Sequence, residues 1–188
     1  VVVFPSFHPP GGQYDEFTFS FSGGVYLTLT KESACLQDLC GDIELSDHRT
    51  LILWALDCVT GTLSRIDQLL PGELRAHKCI ELCDLWSRGD VKMPVAKKAI
   101  LGCHAIAKTI NDREAIALCH AAGHAGATVH VKTHALGLPI YELTGTVIGL
   151  GSQNWENTII EKIQYYQRRL AYWRVESPRV ERAWAAFL

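Results

Sequence analysis

The residues Ile52, Ala55, Leu56, Val59, Leu63, Ile66 and Leu70 recur at three- and four-residue steps. That spacing lines one face of an α-helix and does not fit the two-residue alternation of a strand. Ser46 is placed to N-cap this helix, and Pro71-Gly72 stops it. A second helix is expected over about Glu73 to Ser87, with Ile80, Cys83 and Trp86 inward and Gly89 at its end. Pro94 suits the first turn of a third, which continues through Ile100, Cys103, His104 and Ala107. Asn111 or Asp112 then opens a long Ala- and Gly-rich helical segment from Arg113 to about Tyr141, with a bend near Gly126 or Pro139. Leu143 to Gly151 reads as a helix end or loop, Ser152 to Trp173 as a further helix, and Pro178 to Phe187 as a short last one. The expectation is a mainly α protein, a bundle of about five to six helices.

The front of the chain follows another rule. Pro5, Pro9, Pro10, Gly11 and Gly12 mark an irregular arm. Two alternating runs, Glu16 to Ser22 and Val25 to Thr30, flank Gly23-Gly24 and predict a β-hairpin. An isolated hairpin is marginal in water, so it must dock on the bundle or on a partner. Residues 1–45 are therefore read as arm and hairpin and residues 46–188 as helical bundle, within one compact domain.

With 48% hydrophobic and 20% charged residues, the chain can bury a core, which excludes disorder. The net charge of −2 excludes a whole-molecule basic field for a phosphate backbone. It is nevertheless a cancellation. Residues 1–48 hold seven acids and one base, whereas residues 162–188 hold six bases and two acids. Asp15, Glu16, Glu32, Asp38, Asp42 and Glu44 form a candidate partner-binding front for a basic protein, by charge or by strand addition. The competing expectation is that front and tail solvate the molecule or pair with each other. In the tail, Lys162, Arg168, Arg169 and Arg174 alternate with Tyr165, Tyr166, Tyr172 and Trp173. That mix can meet nucleic acid, but at helical spacing it reads first as core and interface, so nucleic acid is not the expected partner.

No run reaches the roughly 20 apolar residues of a membrane span, because Pro139 and Glu142 interrupt the best candidate. No signal peptide is recognisable. Seven cysteines without paired two-residue gaps read as buried free thiols, Cys58, Cys79, Cys83, Cys103 and Cys119 foremost, in a reducing cytoplasm.

The segment after Arg113 carries His120, His124, His130 and His134. On one continuous helix these four share an arc of roughly 120° and present two His-x-x-x-His pairs. Their axial spread of about 21 Å exceeds the reach of one metal ion, so at most one pair contributes, with help from His104, His48 or Asp47. No Asp or Glu lies between Glu114 and Glu142 to orient a ligating imidazole. Packing in a tight Ala/Gly interface is the simpler expectation. Zn or another transition metal, or a small ligand, is the alternative, with His104, His124, His130 and His134 as candidate ligands. Nucleophile elbows, Walker loops and His-Glu-x-x-His are missing, so no catalytic residue and no cofactor is expected.

Three blocks resemble a known family. Asp47-His48-Arg49-x4-Trp54-Ala55-x-Asp57-Cys58 is the first, and Leu85-Trp86-Ser87-Arg88-Gly89 with Ala96-x-x-Ala99-x4-His104-Ala105 is the second. The third and most specific is Ala121-Ala-Gly-His124-Ala-Gly-Ala-Thr128-Val-His130-Val-Lys-Thr-His134-Ala-Leu-Gly137. Over about residues 46–145 the chain resembles the Imm-5-like immunity proteins of bacteria. The resemblance implies a small helical protein that binds and neutralises a cognate protein toxin without catalysing a reaction. It also implies that Asp47, His48, Arg49, His104, His124, Thr128, His130 and His134 meet as one polar cluster, either a satisfied network or a ligand pocket. The arm and hairpin are outside the resemblance, and the tail after Gly151 matches it only loosely. A metal- or ligand-binding protein or enzyme built on the histidine stripe is the alternative function. Self-association is a further possibility, since Gly/Ala-rich helices and a free hairpin edge suit symmetric contacts.

Overall fold

The computed structural model describes residues 29–151 and 155–188. Among them are seven α-helices and no strand: α1 (Gln37–Leu45), α2 (His48–Leu69), α3 (Arg75–Arg88), α4 (Met93–Ala105), α5 (Arg113–Ala127), α6 (Gly137–Leu150) and α7 (Trp155–Glu176). The mainly helical class is as expected, with more helices than the sequence suggested. The arm and nearly all of the expected hairpin lie outside the described residues.

Local chemistry sets the helix ends. Asp47, not Ser46, caps α2: its carboxylate accepts from the Thr50 N–H at 3.0 Å. Ser46 is occupied elsewhere, because its hydroxyl donates to the Asp42 carbonyl at the end of α1 and accepts from Arg174 Nε. Asp112 caps α5 in the same way through the Ala115 N–H. Gly89 closes α3 in the left-handed region at φ 87°, where a side chain would be strained. Pro94 sits in the first turn of α4, where its missing N–H has no helical partner to lose.

α5 is the central helix and touches α2, α3, α4 and α6. Its Ala- and Gly-rich surface allows this, and Ala121, Ala122 and Ala125 are all fully buried. Across the bundle, Trp54 of α2 packs on Tyr166 of α7 with ring centroids 5.5 Å apart, both rings wholly out of solvent. The Trp54 indole N–H donates to the Tyr166 carbonyl at 3.1 Å, so this large apolar contact leaves the indole donor satisfied.

Four further expectations need correction. Residues 34–45 are helical, a 3-10 turn leading into α1, and Leu36, Leu39 and Ile43 bury one face of that helix in the core. The segment from Arg113 to Tyr141 is not one bent helix. α5 stops at Ala127, a 3-10 turn occupies Lys132–Leu136, and α6 starts at Gly137. Leu143 to Gly151 is therefore the body of α6 and not a loop, with Pro139 tolerated in its first turn. At the end of the chain, Pro178 begins no helix; only the 3-10 turn Ser177–Arg179 forms. The tail after it lies on α3: Ala185 N–H donates to the Ser87 carbonyl, and Arg182 donates to Asp84 and to the Ser87 hydroxyl.

No helix among the described residues is long and apolar enough to cross a membrane. All seven cysteines are free, and Cys58, Cys79, Cys83, Cys103 and Cys119 are buried as small apolar residues.

Candidate functional site: a row of imidazoles between helices

Because α5 ends at Ala127, the four histidines of the stripe do not share a helix. The chain turns back, and they join His104 of α4 in a row along α5. His104 and His120 face each other with Nδ1 atoms 2.9 Å apart. His104 next meets His124 edge-on, with ring centroids 5.3 Å apart. His124 and His134 repeat the first arrangement, Nδ1 to Nδ1 at 3.2 Å, and His134 touches His130 at a centroid distance of 5.3 Å. Tyr141 of α6 stacks on His124 and tilts against His120. At the far end Trp86 packs against His130, and Phe187 of the tail stacks on Trp86.

Two glycines make room for these rings. A Cβ on Gly123 would lie 2.5 to 2.9 Å from three ring atoms of His104. A Cβ on Gly137 would lie 2.3 to 2.6 Å from the Cγ, Nδ1 and Cβ of His124. Both contacts are closer than van der Waals packing allows, so these imidazoles lie directly on helix backbone. Each glycine thus serves a histidine distant in sequence, a steric purpose that local spacing does not reveal.

Electrostatics keep the row neutral. Burial lowers the pKa of His104, His120, His124, His130 and His134 below the ordinary histidine value. For His104, His124 and His130 neighbouring imidazoles add to the effect, and His124, the most surrounded, falls to about 4. The groups acting on them are further imidazoles and Lys97, with no carboxylate. His77 differs, its Nε2 lying 2.8 Å from Asp67 on the exposed surface. In each Nδ1 pair one neutral ring donates and the other accepts, so a single proton lies between the facing nitrogens. His130 Nδ1 is buried without a hydrogen-bond partner.

Metal ligation asks for three or more donors around one point, and among the described residues no such group of His, Cys, Asp or Glu side chains occurs. The imidazole nitrogens meet in twos. The arrangement suits proton sharing and packing between helices.

Of the residues implied to meet as a polar cluster, His104, His124, His130 and His134 lie in the row. Thr128 adjoins it, its hydroxyl donating to the His124 carbonyl, and His48 Nε2 donates to the Thr128 carbonyl at 2.7 Å. Asp47 and Arg49 turn instead to the start of α2 and the tail. Asp47 accepts from the Thr50 hydroxyl, which also meets the Ser177 hydroxyl at 2.5 Å. Arg49 donates to the Leu188 carbonyl and lies 5.2 Å over the Trp184 ring. They line a shallow pocket with Ser177, Pro178, Val180 and Trp184, away from the row.

Among the acids of the front, Glu32, Asp38 and Glu44 are exposed, and Asp42 is half-buried in an ion pair with Arg174 at 3.0 Å. Asp15 and Glu16 lie outside the described residues. The bases of α7 mostly turn to internal acids: Arg169 pairs with Asp57 at 2.6 Å, and Lys162 pairs with Glu142 at 2.9 Å. Glu142 is buried, and burial pushes its carboxyl above the ordinary range against the pull of Lys162. Tyr166 also donates its hydroxyl to Glu142. The sequence reading passed over this group, although a single carboxylate inside the apolar run from Ala135 to Gly151 signals a buried, partnered acid.

A family model described as Imm-5 like putative immunity protein matches residues 41–169. Comparison with curated proteins and with solved structures found no match. The matched stretch contains the whole imidazole row and the Glu142–Lys162 pair, and it extends beyond the 46–145 suggested by the three sequence blocks. The chain belongs to the Imm-5-like immunity protein family.

Proposed function

We propose that this protein is a non-catalytic immunity protein that binds a cognate bacterial toxin in the cytoplasm and neutralises it. The observation that carries the reading is the family match over residues 41–169, which spans α2 to α6 complete, the end of α1 and most of α7. The chemistry of the row is consistent with it. Four of the five imidazoles meet in Nδ1 pairs, two lie against glycine backbone, and none has a carboxylate that would raise its basicity for acid–base work.

The contact surface we favour is the exposed face of α1 and the turn before it, with Glu32, Asp38 and Glu44. Next to Glu44, Leu45 is 85% exposed and gives an acidic rim an apolar point of contact. Asp42 is less available, because Arg174 holds it. A basic toxin surface would complement this face and be steered to it.

The test is co-expression of the full chain with the toxin encoded beside its gene, scored by survival. Survival with the wild-type chain supports the reading. Death at matched, soluble expression levels rejects it. Asp38→Lys with Glu44→Lys tests the surface separately, since both side chains are exposed and neither contributes to the core.

A further inference from the structure

The segment from Thr128 to Leu136 joins α5 to α6, and its histidines fasten it. His134 meets His124 of α5 at 3.2 Å, His130 touches His134 and Trp86, and the Thr128 carbonyl accepts from His48. Between the two histidines, Val131, Lys132 and Thr133 are exposed, and Lys132 Nζ donates to the Glu44 carbonyl of α1 at 3.2 Å. The same segment therefore reaches the central helix on one side and α1 on the other.

We propose that the imidazole row is an acid-released clasp, which holds the 128–136 segment on α5 while its rings are neutral and frees it, with the Lys132 tie to α1, when they take up protons. The geometry supplies the switch. Two facing Nδ1 atoms share one proton; a second proton puts N–H against N–H at the same 3.2 Å and turns attraction into repulsion. The groups facing the row offer no compensation. They are His48 from α2, His104 and Lys97 from α4, His120 and His124 from α5, and Tyr141 from α6. α3 and the tail bring only the uncharged rings of Trp86 and Phe187. His130, whose buried Nδ1 has no acceptor, adds to the penalty when it is charged. The His124 side chain also has little room to turn aside, because its Cβ and Cγ lie against the backbone at Gly137.

The clasp concerns the protein alone and does not depend on toxin neutralisation. Hydrogen exchange of the full chain, corrected for intrinsic rates and run in EDTA, is compared between pH 8 and pH 5. With His124 at about 4 in the closed form and 6.5 when released, this residue alone raises opening about 30-fold at pH 5. The amides of residues 129–136 are expected to lose that much protection and to exchange well ahead of those of α2 and α7, which open only with the whole chain. In His134→Gln the facing N–H is gone, so the segment's acid response should shrink, the remainder coming from burial of His124 and its neighbour His104. A second measurement needs no variant: the imidazole NMR signals of His124 and His134 in the wild-type chain should titrate at the pH where the segment opens. Unchanged protection at pH 5 in EDTA, or an equal acid response in His134→Gln, would overturn the clasp.

Discussion

His134 follows His124 by ten positions, yet their Nδ1 atoms are 3.2 Å apart. On an unbroken helix the same separation would place them about 15 Å apart along the axis. The contact therefore requires that α5 end at Ala127 and that the chain fold back along it. Gly137, at the start of α6, completes the arrangement by leaving room for the His124 ring.

Replacement of that glycine tests the packing directly. On an open helix surface, Gly→Ala gains up to about 1 kcal/mol of helix propensity. In Gly137→Ala the new methyl meets His124 at its Cβ and Cγ, where the side chain cannot swing away. We expect a net loss of about 1–3 kcal/mol in urea unfolding. Gly123→Ala meets only the ring of His104, which can rotate at the expense of its contact with His120, so the loss should be smaller.

Stability should fall on mild acidification. The row's histidines have folded-state pKa values depressed below 6.5, so protons bind the unfolded chain more readily. Their contribution is complete above pH 6.5 and is lost as pH drops towards about 4, the value for His124. For His124 alone the loss by pH 5 is about 2 kcal/mol, measurable as a shift of the urea midpoint. Below that range Asp47 takes over. Against the upward push of burial, hydrogen bonds from Thr50 and from neighbouring backbone N–H groups together hold its carboxyl below the ordinary value, so its stabilisation disappears only as pH falls through that lower pKa.

Asp47→Ala removes the N-cap of α2 and the acceptor for the Thr50 hydroxyl. The expected cost is about 1–2 kcal/mol at neutral pH, read from thermal or urea unfolding. Ser46→Ala removes no cap and should cost less.

Lys162→Met leaves the buried Glu142 carboxylate with the Tyr166 hydroxyl but without its ammonium partner. Breaking such a pair from one side costs about 3 kcal/mol or more, moderated here because Lys162 is partly exposed. Glu142→Gln, which keeps an acceptor for Tyr166 and carries no charge, should cost less. Urea unfolding of the two variants orders them.

Local features of the sequence identified α2 to α4 well, because Ile52 to Leu70 keep a clean period and Gly89 needs a left-handed backbone. The stop after Ala127 was legible only as a bend near Gly126 or Pro139, not as a reversal of the chain. The polar residues of Ala121 to Gly137 fit one stripe of a continuous helix, and the reversal shows only in a long-range contact, the seat of His124 on Gly137. The histidines themselves stood out by number and spacing. Their pairing did not, since His104 and His120 belong to different helices and His124 and His134 meet only after a reversal. α1 was hidden by the strand-like runs before it, although Leu36, Leu39 and Ile43 carry a helical period. Glu142 was visible only as an interruption of an apolar run, and its partners Lys162 and Tyr166 lie a helix away.

The central claim is that the molecule acts by binding a toxin. The most direct measurement is calorimetric titration of the purified full chain into the toxin encoded beside its gene, with toxin activity followed in parallel. The account predicts a one-to-one complex and activity that falls to zero at equivalence, with slower association at high salt for a surface led by Glu32, Asp38 and Glu44. A folded chain that gives no binding at micromolar concentration and leaves the toxin active would contradict it.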